Sequence, residues 1–111
     1  MLEREFQKKV IDTAHMLGWR IAHFRTAVNA RGVYMTPVAA DGKGWPDLVL
    51  VHPARGIVLF RELKSDKGRL DPDQVEWSRW LLACGMDWGM WQPKDWDEIV
   101  GVLGGGRAST T

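Results

Sequence analysis

The sequence predicts an α/β fold in which a mixed central sheet is flanked by helices, and three observations support this. Apolar residues recur at helical spacing in residues 2–17 and 72–84. Two β-rich runs, residues 47–52 and 57–64, are separated by Pro53-Ala54-Arg55-Gly56, which predicts a hairpin. Helices and strands alternate along the chain, so the strands are expected to share one sheet covered by helices.

The first predicted helix covers residues 2–17 and ends at Gly18, a usual residue at a helix C-terminus. Residues 19–25 are expected to form a strand, and residues 26–44, which contain Gly and Pro, a long loop. The apolar stripe of the helix consists of Phe6, Val10, Ala14 and Leu17.

The second predicted helix begins with Asp71 as its cap and Pro72 at its first position, and Gly85 ends it. Its apolar face, expected in the core, consists of Trp77, Trp80, Leu81 and Cys84. A strand over residues 87–91 and a short helix over residues 95–103 follow. We expect residues 1–103 to form one domain and residues 104–111 a flexible tail.

Composition excludes several functional classes. The 111 residues are 45% hydrophobic and 26% charged, and no apolar run is long enough to cross a membrane. The N-terminal residues resemble no secretory signal, so we expect a cytoplasmic protein. With Cys84 the sole cysteine and three scattered histidines, an intramolecular disulfide and an ordinary structural zinc site are excluded. Any metal ion should therefore be held by oxygen atoms.

The basic residues are concentrated in the first part of the chain, although the net charge is only +1. Residues 1–45 contain seven Lys or Arg and four Asp or Glu, whereas residues 46–111 contain eight and ten. A DNA-binding face would draw on the first part, and the alternative for each basic residue is a solvated surface charge. The candidates are Arg4, Lys8, Lys9, Arg25, Arg31 and Lys43.

The hairpin register brings three charged residues together. A four-residue turn pairs residues whose numbers add to 109, so Asp47 faces Glu62. Side chains alternate along a strand, so Lys64 lies on the same face. Both faces of the hairpin are otherwise apolar, which predicts burial on both sides.

Two carboxylates beside a buried hairpin need a compensating charge, because each loses water and they repel one another. Lys64 supplies one positive charge, and a hard divalent cation would supply the rest. The alternative is an ion pair between Lys64 and one acid, with the other acid in solvent.

These residues carry a family resemblance. Gly44-Trp45-Pro46-Asp47 followed by Glu62-Leu63-Lys64 resembles the PD-(D/E)xK nuclease signature. With a helix containing Glu3 before it and a helix containing Gln74 after it, the order resembles the virus-type replication-repair nuclease (VRR-NUC) domain over roughly residues 3–91. The resemblance implies a restriction-endonuclease-like core, with archaeal-type Holliday junction resolvases among its relatives.

The resemblance also implies residue roles. Asp47, Glu62 and the Leu63 carbonyl would bind Mg²⁺ or Mn²⁺, and Lys64 would orient or activate the attacking water. Glu3 would reach the metal directly or through water. Gln74, which shares a stripe with Trp77 and Leu81, would approach the site. Gln7 shares the stripe of Glu3, and for all three residues a surface position stays open.

The expected function is therefore cleavage of DNA by a metal-dependent endonuclease, most simply of four-way junctions by a homodimer. Flaps, other branched DNA or linear DNA are alternative substrates. A non-catalytic DNA-binding module of the same fold, and a pure interaction protein, are the alternatives from other classes. Trp45 is the one tryptophan considered near substrate, with packing the simpler role. The candidate dimer interface consists of Met90, Trp91, Trp96, Ile99 and Val102.

Overall fold

A mixed four-stranded sheet lies at the centre of this computed structural model, which describes residues 1–24, 27–28, 31, 34–35 and 39–105. The strand order is β1-β4-β5-β6, with β5 and β6 parallel and the other pairs antiparallel. The predicted α/β fold with a mixed sheet is confirmed. The elements are α1 (Glu3–Met16), β1 (Arg20–His23), β2 (Ala27–Val28), β3 (Tyr34–Met35), β4 (Leu48–His52), β5 (Ile57–Leu63), α2 (Pro72–Ala83), β6 (Asp87–Trp91), a 3-10 helix (Pro93–Asp95) and α3 (Trp96–Leu103).

The β4–β5 hairpin has the predicted register. Leu48 pairs with Arg61 and His52 with Ile57, so partner numbers add to 109. The turn closes through a hydrogen bond from the Arg55 N–H to the His52 carbonyl (3.1 Å). The register places Asp47 beside Glu62, one step beyond the last paired residues.

One face of the sheet carries the main hydrophobic core. Leucines of β4 and β5 pack there beneath α1 and α3, because alternate strand residues point to the same face. The other face is covered less completely. Phe60 contacts Trp45, but Val58, two residues earlier, is 43% exposed, so the prediction of burial on both faces is wrong at Val58. The fully buried core residues include Phe6, Val10, Ala14, Leu48, Leu50 and Ile99.

Helix α2 begins and ends as predicted. The Asp71 carboxylate accepts the Gln74 backbone N–H, and the Gln74 side chain accepts the Asp71 N–H, forming a capping box. Pro72 occupies the first turn, where its missing N–H costs nothing. After the C-cap Cys84, Gly85 takes φ +77°, which glycine adopts without strain.

The predicted core face of α2 is partly wrong. Trp80 is 49% exposed and Cys84 is exposed. The buried positions are Ser78 and Leu81, so the stripe facing the sheet is centred on them. Trp80 and Cys84 therefore lie at its solvent edge.

Other boundaries differ from the prediction. Within the predicted loop 26–44, β2 and β3 pair as a two-stranded antiparallel sheet. Of the predicted strand 19–25, β1 covers Arg20–His23, the four residues that pair with β4, and residue 25 lies outside the described residues. The last helix is preceded by a 3-10 turn that begins at Pro93.

Gly104 and Gly105 lie in a turn, and residues 106–111 of the predicted tail lie outside the described residues. None of the helices described is long and apolar enough to cross a membrane.

Candidate functional site

The two predicted carboxylates meet at the end of the β4–β5 hairpin. The Asp47 backbone N–H donates to Glu62 Oε1 (3.3 Å), and the Leu63 N–H donates to Asp47 Oδ2 (2.8 Å). Just before β4 begins, the two segments are thus joined by hydrogen bonds from backbone N–H groups to carboxylate oxygens. Glu62 is fully buried, whereas Asp47 is half-buried and reaches the surface cavity beside it.

The electrostatics of this pair disfavour two negative charges. Burial raises the pKa of Asp47, although the Leu63 N–H opposes the shift. Burial, followed by the charge of Asp47, raises the pKa of Glu62 to about 9. Glu62 Oε2 is buried and has no hydrogen-bond partner within the described residues. Without a further cation, the pair therefore holds a proton at neutral pH.

A cavity of about 420 Å³ adjoins the pair and contains most of the predicted site. The half-buried Lys64 is close enough for its positive charge to lower the pKa of Asp47, Glu62 and Glu3. The charge of Lys64 thus acts on three carboxylates. The lining residues are Glu3, Arg4, Gln7, Asp47, Leu63, Lys64, Asp71 and Gln74.

Gln74 connects α2 to the buried acid. Its Nε2 donates to Glu62 Oε1 (3.4 Å), while its Oε1 accepts the Asp71 N–H (3.0 Å). The capping box therefore fixes the amide so that its donor points at Glu62. Gly44 permits the approach of α2, because a Cβ there would lie 2.5 Å from the backbone of Asp73 and its φ is +90°.

Helix α1 supplies the opposite wall of the cavity. Partial burial raises the pKa of Glu3; the charge of Lys64 opposes this shift, and that of Asp47 adds to it. Gln7, one turn further along, also lines the cavity. Both polar side chains therefore lie next to the site, at the N-terminal end of the helix face that continues as the apolar stripe of α1.

The donor set fits a hard divalent cation. The carboxylates of Asp47 and Glu62, the latter with an Oε2 that has no partner among the described residues, offer hard oxygen ligands, which Mg²⁺ and Mn²⁺ prefer. No group of three His, Cys, Asp or Glu side chains that could hold a metal occurs in the part of the chain described. The Leu63 carbonyl can complete the set, because its N–H contacts Asp47 and the two groups of one strand residue point to the same side.

The predicted DNA-binding residues are only partly brought together. Arg4 lines the site cavity and an adjacent cavity of about 200 Å³, which Lys8 also borders. Lys8 pairs with Asp12 (2.6 Å), and Lys43 pairs with Asp73 (3.3 Å). Lys9 lies over the Trp96 ring, Arg31 is exposed, and Arg25 lies outside the described residues.

His23 is a site neighbour that the sequence did not indicate. It lines the smaller cavity, and its charge lowers the pKa of Asp47. Its position follows from the pairing of β1 with β4, in which His23 faces Leu48, next to Asp47. A hairpin register reveals only neighbours within the hairpin, so no local signal pointed to His23.

The fold resembles that of a solved structure described as a VRR_NUC domain. The two chains are 22% identical, the similarity covers 88% of this chain and 92% of that one, and the TM-score is 0.63. The predicted restriction-endonuclease-like α/β fold is therefore confirmed. No protein-family model and no curated protein matches the chain.

Proposed function

We propose that this protein is a divalent-metal-dependent endonuclease that hydrolyses the phosphodiester backbone of DNA. The observation that carries the proposal is the buried Glu62, whose Oε2 lacks a partner among the described residues, beside Asp47 and Lys64 at an open cavity. The fold shared with a VRR_NUC domain supports a nuclease function.

A metal ion accounts for an arrangement that is otherwise unfavourable. Fully burying an acid whose pKa rises to about 9 destabilises the protein above the acid's ordinary pKa. A structural ion pair would not leave Oε2 without a partner. A bound Mg²⁺ or Mn²⁺ would polarise the scissile phosphate and make water more acidic.

Each side chain has a distinct role in this proposal. Asp47 and Glu62, together with the Leu63 carbonyl, would hold the cation through the hard oxygen ligands that it prefers. Lys64 orients the attacking water and stabilises charge that develops on the phosphate. Gln74 fixes the orientation of Glu62, and Glu3 would reach the cation directly or through water.

Metal-dependent cleavage tests the function directly. Supercoiled plasmid and labelled oligonucleotides are incubated with Mg²⁺, Mn²⁺, Ca²⁺ or chelator, alongside the Asp47→Ala variant. We expect cleavage with Mg²⁺ or Mn²⁺ and binding without efficient cleavage with Ca²⁺, because the looser shell of Ca²⁺ positions water less tightly. DNA binding without cleavage under every condition would favour a non-catalytic DNA-binding module. An interaction protein would show neither metal binding nor salt-dependent DNA affinity.

Substituting Gln74 tests the contact with Glu62. Gln74→Ala should lower the cleavage rate about tenfold, the scale of an outer contact to a metal ligand, and weaken the cap of α2 by about 1 kcal/mol. Gln74→Glu provides the control, because glutamate preserves the capping box but cannot donate to Glu62. Full activity of Gln74→Glu would show that the residue serves only the helix cap.

We further propose that the protein acts as a homodimer on four-way junctions. One copy has one Asp47, Glu62 and Lys64 set, and symmetrical cutting of a junction requires two. Of the residues expected at the interface, Trp91 and Ile99 are buried in the monomer core, and Trp96 and Val102 pack against it. Exposed apolar residues near the C-terminal end of α2 are better candidates, and they include Trp80, Leu82 and Met86.

Light scattering and cut mapping test the assembly. We expect a dimer that cuts a mobile junction in pairs, and a monomer after Trp80→Arg. Met16→Arg is the matched control, because Met16 is 86% exposed at the far end of α1. A monomeric wild-type protein that prefers flaps or linear duplex would refute the junction proposal and leave the nuclease proposal intact.

A further inference from the structure

Another cavity, of about 410 Å³, lies beside α2 and is lined by aromatic and small residues. The Trp45 ring meets Trp77 edge to face at a centroid distance of 5.0 Å and Phe24 at 6.1 Å. The volume falls within the range of small-molecule sites, roughly 300–1,000 Å³. The lining residues besides the three rings are Ala39, Ala40, Asp41 and Gly42.

This aromatic cavity adjoins the proposed active site through two chain segments. Trp45 precedes Asp47 by two residues, a span of at most about 7 Å. Trp77 follows Gln74 by one helical turn, and such neighbours lie about 5–6 Å apart. Nucleotides in one strand of a duplex are spaced by about 3.4 Å. A base in the cavity would thus belong to a nucleotide within a few positions of the cut phosphate.

The lining selects a flat, neutral ligand. Among the described residues, the lining contains three aromatic rings and no Lys, Arg or His, and its charged residue is Asp41, so this part of the wall disfavours a phosphate group. Aromatic rings bind nucleobases by stacking, and a carboxylate can accept a base amino group. The Trp77 indole N–H donates to the Asp41 carbonyl (3.0 Å), which holds the 39–42 wall against α2.

We infer that this aromatic cavity binds an unpaired nucleobase close to the cut. The inference rests on the proposed nuclease function and specifies its substrate class as DNA with an unpaired nucleotide near the scissile phosphate. A paired base would first have to leave its stack, so branch points, flaps and frayed ends are favoured over intact duplex. Lys43, exposed and two residues before Trp45, would contact the backbone of the same strand.

Abasic substitution combined with filling of the cavity tests this site. Branched DNA is prepared with either a natural base or an abasic residue at each of the nucleotides next to the cut, and affinity is measured with Ca²⁺. In wild type, one abasic position should lower affinity about tenfold, the scale of one stacked base. Ala39→Leu, which places a larger side chain in the cavity wall, should bind the natural strand with a similarly reduced affinity. The variant should bind the abasic strand no more weakly than it binds the natural one.

Ala54→Leu is the matched control, because Ala54 is exposed in the β4–β5 turn away from the cavity. It should bind both strands as wild type does. Emission from 2-aminopurine at the sensitive position should fall on binding to wild type, through stacking on the rings, and fall much less with Ala39→Leu. This readout needs neither cleavage nor a variant in the aromatic rings, whose loss could unfold the protein.

The outcomes separate this inference from the nuclease proposal. Mg²⁺-dependent cleavage with equal affinity for natural and abasic strands at every position would overturn the base site alone. Absence of metal-dependent cleavage on all DNA substrates would overturn the nuclease proposal and this inference with it. A position-specific loss in wild type that Ala39→Leu abolishes would support the base site, and together with Mg²⁺-dependent cleavage it would support both proposals.

Discussion

Glu62→Gln is expected to reduce the rate of Mg²⁺-dependent DNA cleavage at least about 1000-fold while the protein stays folded. The substitution replaces one carboxylate oxygen by an amide nitrogen, so it removes a metal ligand without changing side-chain volume. A loss of about 4 kcal/mol of transition-state stabilisation, which a catalytic cation can supply, corresponds to this factor. Single-turnover cleavage would measure the loss of rate, and calorimetric titration with Mn²⁺ would measure the loss of metal affinity.

The matched control is Glu76→Gln, which neutralises an exposed glutamate of the same helix as Gln74. It should cleave DNA at the wild-type rate. Wild-type cleavage by Glu62→Gln would refute the proposed metal site, whereas loss of both activity and folded structure would point to a structural role for Glu62.

Glu62→Gln should also stabilise the metal-free protein at alkaline pH. Burial raises the Glu62 pKa from its ordinary value of 4.5 to about 9, so between these values the native state holds a proton that the unfolded chain releases. Stability must therefore fall as pH rises through this window. At about pH 8, Glu62→Gln should raise the free energy of unfolding in chelator by about 1–3 kcal/mol and flatten the pH dependence. Denaturant titrations at several pH values would measure the difference.

The sequence allowed the proximity of Asp47 and Glu62 to be predicted because their relation is local. A four-residue turn fixes the β4–β5 register, and the two-residue period of a strand then places Asp47, Glu62 and Lys64 on one side. The capping box likewise fixes Gln74 within one turn of Asp71. Both inferences depend on contacts over a few residues of chain, and the structure has both of these local elements.

Features that depend on contacts between distant segments could not be predicted. Arg61 is buried although it is charged, because it pairs with Asp87 (2.9 Å) and lies against Trp91 of β6. Gly89 leaves room for it, since a Cβ there would lie 3.3 Å from Arg61 Nε. The exposure of Trp80 has the same origin, because helical spacing identifies a stripe but not its angle to the sheet.

Lys64→Met is expected to lower the rate of DNA cleavage at least about 100-fold while changing the Mg²⁺ concentration for half-maximal rate only slightly. Methionine retains much of the length of the lysine stem but lacks its charge, so water near the phosphate loses its orienting group. The carboxylates of Asp47 and Glu62 remain to bind the ion. The split between rate and metal dependence distinguishes Lys64 from Glu62, whose substitution should impair both.

Two comparisons make this test specific. Lys94→Met removes an exposed lysine from the 3-10 helix and should leave cleavage unchanged. Lys64→Arg retains a positive charge but replaces a compact ammonium by a broad planar group, so it should recover little activity. If Lys64 served only to balance the charge of Asp47 and Glu62, Lys64→Arg would restore the rate. With charge balance as its only role, Lys64→Met would also bind Mn²⁺ more tightly, because the ion would replace the missing charge. The variant would then cleave DNA normally once the metal is bound.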